Sequence, residues 1–384
     1  MSREHKICEY CMDIPNGILL ARKTVKTQGP KGKGYRHSGS AVYSNDGKLV
    51  MAARYANPAL RDRNDDNIDP RTVKRESNAS VIYMGALTAH YGHFLLESLC
   101  RFWIFIDSAQ ARGRRRRIVK PNTRFAFTRF SDNGSSLKRN TLLRKVAECL
   151  QIDIQRFMLV TETTRFKNIT VCEPSCEIND GMHTIHNELC NALVRKVPRS
   201  PSPALLHDRI FILRGTPKEK EIIPLLEEHG FTAISPSSND FHQNIVQYNA
   251  ASVIASFEGS GMHNVLFAKP NTISIVFGFR TDDSPAICRY TTNQANCNIV
   301  SAVSAHHIDV NQCTLIEIRQ KLISILDGSM LPIKLDEYAD LTAHKARNRK
   351  YVKSLTPVIN AARRAFRGAQ LAEDGWVRAE EWAR

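Results

Sequence analysis

The stretch from Arg209 to Phe277 constrains the fold more than any other part of this chain. Four short, almost uninterrupted apolar runs occur there: Arg209-Ile-Phe-Ile-Leu213, Phe231-Thr-Ala-Ile234, Ser252-Val-Ile-Ala-Ser256 and Thr272-Ile-Ser-Ile-Val-Phe277. Between them lie helical patterns and short loops. A strand that is apolar throughout must be covered on both faces, and a parallel sheet wrapped by helices provides that cover. Start signals support the helices: Thr216-Pro217-Lys-Glu219 places a capping threonine, a first-turn proline and a capping-box glutamate in order, and Asp240-Phe-His-Gln243 offers a second box. Residues 205–330 are therefore expected to form a doubly wound parallel sheet.

Upstream the pattern differs. Residues 1–80 read as short strands and turns, with Asn45-Asp46-Gly47 suited to a hairpin because Asn and Gly tolerate positive φ. From Thr88 to Ala111, Phe94, Leu95, Leu99, Phe102, Trp103 and Ile106 recur at helical spacing, which predicts one long buried helix. Strand patterns near residues 123–128, 157–161 and 169–172 and a helical pattern at 137–150 complete an α/β first half. Three prolines within Arg195-Lys-Val-Pro-Arg-Ser-Pro-Ser-Pro203 argue for a boundary. The expected division is an α/β domain with a β-rich start at 1–200, the parallel-sheet domain at 205–330, and a basic helical tail at 335–384. Trp376 and Trp382 in that tail are suited to anchoring it on the first domain.

Composition excludes several classes. Charged residues at 24% and hydrophobic ones at 42% describe an ordinary globular chain. No apolar run approaches the ~20 residues that span a bilayer. The opening Met1-Ser-Arg-Glu-His-Lys lacks the apolar core of a secretory signal. Ten irregularly spaced cysteines then read as reduced thiols of a cytoplasmic protein. The net charge of +16 favours anionic partners without choosing among phosphates, charged glycans, nucleic acid or an anionic membrane. The run Arg112-Gly-Arg-Arg-Arg-Arg117 lacks the interleaved aromatics of a nucleic-acid module, so nucleic acid is not the expected partner. A peripheral contact with the inner face of a membrane fits the same charge.

Two loops of the parallel domain stand where ligands bind such sheets, outside the carboxyl ends of the strands. One is Arg214-Gly-Thr-Pro-Lys218, in which Arg214 can fork two hydrogen bonds onto a diphosphate and Lys218 adds a point charge. The other is Glu258-Gly-Ser-Gly-Met-His263-Asn264. Its glycines permit close approach of a phosphate, Ser260 offers a hydroxyl, and Glu258 can accept from ribose hydroxyls or a base edge. A bare Gly-Ser-Gly is equally compatible with a tight turn that holds nothing. In the first half, His90-Tyr-Gly-His93-Phe-Leu-Leu-Glu97 puts His93 and Glu97 four apart on one helix face. Such a pair suits a general base, and also suits a structural contact or, with His90, a metal. Cys8-x-x-Cys11, and Cys172 and Cys176 with His183 and His186, lack a strong metal spacing, and no metal is expected.

Taken in order, three stretches resemble the family 61 glycosyltransferases. His90-Tyr-Gly-His93-Phe-Leu-Leu-Glu97-Ser-Leu-Cys-Arg101-Phe-Trp103 is similar to that family's H-W-L-L-E-x-L-P-R-L helix, with Cys100 in the place of proline. Arg209–Arg214 with the following helix and Gly230-Phe231 is the second stretch. Phe241-His-Gln243 through Glu258-Gly-Ser-Gly-Met-His263-Asn264-Val-Leu-Phe267 is the third, similar to the bacterial G-S-A-L-H-N-x-x-F form. The resemblance implies a GT-B-like α/β fold of two Rossmann-like domains and an inverting transferase that needs no metal or other cofactor. It further implies a nucleotide-sugar donor, a glycan or lipid-linked acceptor, and a role in bacterial surface (capsular) polysaccharide synthesis. Arg214, Lys218, Glu258, Ser260, Gly261, His263 and Asn264 would then face the donor, and the base would be His93, oriented by Glu97, or Glu97 itself. The reading from a different class is an anionic-polymer or nucleic-acid binding protein, and a further one keeps the fold but drops catalysis, as a degenerate, glycan-binding member.

Overall fold

The computed structural model describes residues 11–21, 24–29, 32–37, 41–53, 67–106, 119–129, 137, 140–178, 181–198, 206–236, 241–278, 285–310, 313–333 and 376–378. The chain divides into two units, Met1–Ile178 and Asn179–Arg384. The arginine run at 112–117, the proline-rich stretch beyond residue 198, Cys8, Asp240 and most of the basic tail lie outside the described residues. No helix among the described residues is long and apolar enough to cross a membrane.

The first unit contains β1 (Cys11–Pro15), β2 (Ile18–Leu20), β3 (Thr24–Gly29), β4 (Gly32–His37), β5 (Ala41–Tyr43), β6 (Arg75–Leu87), β7 (Arg124–Arg129), β8 (Phe157–Val160), β9 (Thr164–Cys172) and β10 (Cys176–Glu177). Its main sheet runs β5-β2-β9-β6-β7-β8, with β1 also on β9. Strands β9, β6, β7 and β8 are mutually parallel, whereas β1 and β2 run antiparallel to β9. The sheet is thus mixed, parallel where the apolar strands lie and antiparallel where the β-rich start joins. Asn45-Asp46-Gly47 turns as its composition predicts: Gly47 has φ +85°, and the Ser44 amide donates to the Lys48 carbonyl at 2.8 Å.

The long helix expected at 88–111 is not formed. A helical turn at Tyr91–His93 widens into a π-turn at Phe94–Ser98, where the Leu99 amide donates to the Phe94 carbonyl five residues back. A separate 3₁₀ turn follows at Phe102–Phe105. The break has a tertiary cause. The Cys100 carbonyl, which a continuous helix would use, accepts instead from the Ser175 amide and hydroxyl at 2.6 and 2.9 Å. Arg101, only 1% exposed, leaves the helical path and donates from Nε to the Cys172 carbonyl at 2.9 Å and from Nη2 to the Ala52 carbonyl at 3.1 Å. The apolar side chains that suggested a helix still pack, since Phe102 stacks on Phe157 at 5.9 Å and Phe105 meets Phe125 edge-on at 4.8 Å.

Cys11 and Cys172, directly opposite in β1 and β9, are joined by a disulfide. This corrects the expectation of reduced thiols throughout, and removes the ground on which a reducing compartment was expected. Among the described residues the thiols at Cys100, Cys149, Cys176, Cys190 and Cys297 are buried and that of Cys313 is half-buried, and burial pushes the Cys100 thiol up to about 11. Because the bond closes a loop of 161 residues, chain entropy alone gives it up to about 5 kcal/mol. Thiol reduction should therefore lower the melting temperature of the oxidised protein. Equal melting temperatures with and without reductant would show that the bond contributes nothing.

The second unit contains β11 (Gly181–His183), β12 (Arg209–Ile212), β13 (Thr232–Ile234), β14 (Val253–Phe257), β15 (Ile273–Gly278), β16 (Ser304–Asp309) and β17 (Trp376–Arg378). Helices Thr184–Arg195, Glu219–Glu228, Phe241–Ala250, Pro285–Val300 and Leu315–Leu326 accompany them. Its main sheet is parallel throughout, in the order β13-β12-β14-β15-β16. One face packs Phe211, Ala255, Phe257, Ile275, Phe277 and Ile308 against Ile222, Leu225 and Leu226 of the helix after β12 and Ile318, Leu322 and Ile325 of the last helix. Of the tail, expected to be helical, the described residues Trp376–Arg378 are instead a strand, antiparallel to β11.

Candidate active site

In chain order the parallel sheet reads second, first, third, fourth, fifth strand. The order reverses between β12 and β14, and the crevice outside their carboxyl ends is where a doubly wound sheet binds its ligand. Arg214 follows β12 and Glu258 follows β14. The two loops singled out by their composition thus flank the reversal point.

The first loop is held from within. Gly215 has φ +79°, which turns two successive amides the same way. The Glu219 carboxylate accepts from both, from the Arg214 amide and the Gly215 amide at 2.8 Å each. The expected Thr216–Glu219 capping box is therefore absent: the Thr216 hydroxyl is buried without a hydrogen bond, and the helix begins at Glu219 with no side-chain cap. Glu219 acts as a clasp for the loop rather than for the helix end. With the amides occupied, the loop's means of meeting an anion is the Arg214 side chain. Lys218 Nζ donates to the Val310 carbonyl at 3.4 Å, at the end of β16.

The second loop lies against the first. A Cβ added to Gly259 would fall 2.4 Å from Arg214 Cζ and 2.6 and 2.7 Å from its two terminal nitrogens. The guanidinium therefore rests on the bare glycine backbone, and among the described residues it has no ion-pair partner. Gly259 itself has φ +139°, a conformation that side-chain-bearing residues rarely adopt. The chain continues as a 3₁₀ run, Ser260–Phe267, folded back on the sheet, so that a Cβ on Gly261 would meet Ser256 Oγ at 3.3 Å and Ile212 Cγ2 at 3.4 Å. Ser260 and Gly261 are partly exposed beside Arg214, whereas His263 and Asn264 are 3% and 0% exposed. The Asn264 amide donates to the Gly261 carbonyl at 2.8 Å, which fixes the turn.

Strand register shows what shares this face. Ile212, Ser256, Val276 and His307 are successive partners across β12, β14, β15 and β16. Side chains alternate along each strand, so Arg214, Glu258, Gly278 and Asp309 form the next row outward on the same face. Glu258 Oε1 lies 3.5 Å from His307 Nε2. No local signal marks His307 in the sequence, because Ser304-Ala-His-His-Ile-Asp309 has no continuous apolar run to mark a strand.

In the first unit the π-turn presents the other candidate. His93 Nδ1 and Glu97 Oε1 are 2.7 Å apart, and the imidazole side chain is 38% exposed against 1% for the carboxylate. The bond to Glu97 raises the His93 pKa above the ordinary imidazole value, with burial opposing it. His90 packs its ring 5.0 Å from that of His93, and burial, then the neighbouring His93, lowers its pKa. Single π-turns inside helices occur often at functional positions. The pair thus combines a buried carboxylate with a half-exposed imidazole, the arrangement that fixes a tautomer and strengthens a base.

Two of the other candidate ligands have structural roles. Cys172 is in the disulfide, and His183 caps its helix by accepting from the Ile185 amide at 2.9 Å. Among the described residues no three His, Cys, Asp or Glu side chains are grouped to hold a metal ion.

Residues 91–275 match the model of the family Glycosyltransferase 61, a span of just under half the chain that includes His93, Glu97, Arg214 and the whole Gly259–Gly261 turn. The match supports glycosyltransferase activity for this protein. No curated protein matches the chain.

Proposed function

We propose that this protein is an inverting glycosyltransferase of the GT-B type that uses a nucleotide-sugar donor. The observation that carries the proposal is Arg214: a guanidinium without an ion-pair partner among the described residues, laid on Gly259 at the strand-order reversal of a parallel sheet. Departure of a nucleoside diphosphate leaves negative charge on the phosphates. A fixed cation and backbone dipoles aimed there stabilise it without reorganisation. Arg214 fills this role, with Lys218 as a second cation and Ser260 and Gly261 at the start of the 3₁₀ run. His263 and Asn264, buried behind the turn, act by fixing its shape. Positive charge from side chains makes a metal dispensable.

Inversion requires a base that removes the proton from the attacking acceptor hydroxyl. His93 takes that proton at Nε2 while Glu97, bonded to Nδ1, stabilises the imidazolium formed. The choice of His93 over Glu97 rests on exposure, since the carboxylate is 1% exposed and cannot readily meet a substrate hydroxyl. The acceptor is a glycan or lipid-linked glycan of a bacterial surface polysaccharide, in keeping with the +16 net charge and anionic acceptors.

Calorimetric titration of the whole protein with UDP, GDP, CDP and CMP, in the presence of a chelator, tests the reading. One of the diphosphates is expected to bind. A folded protein that binds none, while binding polynucleotides with affinity that falls steeply with salt, would point to an anionic-polymer binder instead.

A further inference from the structure

The Glu258–His307 pair is not explained by a diphosphate. A carboxylate beside a bound phosphate is repulsive, so whatever lies over Glu258 must offer hydrogen-bond donors rather than negative charge. The pair is also not satisfied internally. At 3.5 Å the contact is longer than a good hydrogen bond, and among the described residues neither side chain has another hydrogen-bond partner. Their side chains are 16% and 12% exposed, enough for a ligand to reach.

The floor beneath the pair is shaped to keep it there. A Cβ on Gly278 would fall 2.0 Å from His307 Nε2, 2.6 Å from its Cε1 and 2.9 Å from Glu258 Oε1. Glycine at this position is what lets the imidazole and carboxylate face each other across the strand end. Glu258 immediately precedes Gly259, on which Arg214 lies, so the pair adjoins the cationic end of the same crevice.

We infer that His307 is a specificity-determining residue of the donor site, forming with Glu258 a wall that reads a vicinal diol next to the diphosphate. The inference rests on the nucleotide-sugar reading above and adds a residue beyond the stretch matched by the family. One hydroxyl donates to the Glu258 carboxylate, and the second bonds His307, so the ligand fills the gap that the pair leaves between them. Both the ribose of the nucleotide and the sugar to be transferred carry such a diol.

The test compares affinities in the wild type, His307→Ala and Gly278→Ala. The last keeps the imidazole but forces it out of place. The probes are UDP and GDP, their 2′-deoxy and 3′-deoxy counterparts, and UDP-glucose and GDP-mannose. If the diol is the ribose, the wild type binds the ribonucleotide at least about tenfold more tightly than either deoxy form. Both variants bring the ratio for the hydroxyl held by His307 close to one, whereas Arg214→Ala weakens all forms alike. If the diol is the transferred sugar, both deoxy ratios are near one in every protein. The gain from nucleotide to nucleotide sugar is then lost in both variants. Nucleotide binding with all of these ratios unchanged in the variants would overturn the role of His307 and leave the donor site intact. Binding of no nucleotide by the folded wild type would overturn both readings.

Discussion

Turnover by the His93→Ala variant is expected to fall by about 10²–10⁴-fold, the range over which a positioned base accelerates proton transfer, while nucleotide affinity stays at the wild-type value. The split follows from where His93 sits, on a π-turn of the first unit, whereas the nucleotide contacts argued above belong to the second. A combined loss of affinity and turnover would point to a role in donor binding, and unchanged turnover would exclude His93 as the base. The pH profile gives a second, independent reading. A base works in its neutral form, and the bond to Glu97 holds the His93 pKa above the ordinary imidazole value. Activity should therefore rise with pH through that elevated value. In Glu97→Gln the main cause of the elevation is gone and burial remains, so the acid limb should move to lower pH as turnover drops. By linkage, the same bond stabilises the fold below the ordinary imidazole pKa and fades as pH rises through the elevated one. An acid limb that does not move in Glu97→Gln would contradict the pairing.

The second large effect is expected at Gly259. Gly259→Ala places a methyl group within 2.4–2.7 Å of the Arg214 guanidinium and asks a side-chain-bearing residue to hold φ +139°. The guanidinium is the far end of a flexible side chain and can swing away, so the fold is retained at a cost of about 1–3 kcal/mol for the strained backbone. What is lost is the aim of the cation. Loss of a forked, charge-assisted contact to a diphosphate corresponds to roughly 10²-fold in affinity. Gly259→Ala should thus resemble Arg214→Ala in nucleotide binding although Arg214 is still present. A variant with wild-type affinity would show that the guanidinium does not need the bare turn.

These sites were unevenly legible in the sequence. Continuous apolar runs located β12, β14 and β15 to within a residue or so, because a strand buried on both faces has few compositional options. The same logic placed Arg214 and Gly259 at strand ends, and the parallel order then joined them. The capping-box pattern marks Glu219 as a residue that reaches back to amides, yet its partners are those of Arg214 and Gly215. The positive φ of Gly215 decides that, and no spacing rule reports it. The segment from Thr88 to Ala111 misled because helical periodicity also describes a π-turn followed by a 3₁₀ turn. The break at Cys100 is set by Ser175, 75 residues away. Cys11 and Cys172 lie 161 residues apart, and their pairing depends on which strand β1 joins. His307 is on a polar strand whose role appears only once register sets it beside Val276 and across from Glu258. Local pattern thus revealed elements and loops, while nonlocal hydrogen bonds and register determined which side chains meet.

The proposed role of Arg214 is to hold the departing diphosphate at the reversal point of the sheet. Its most direct test is the affinity of wild type and Arg214→Ala for the preferred nucleoside diphosphate, measured by calorimetry in the presence of a chelator. About 10²-fold weaker binding by the variant is expected. Equal affinity in the two proteins, or wild-type binding that appears only when a divalent metal is restored, would contradict it.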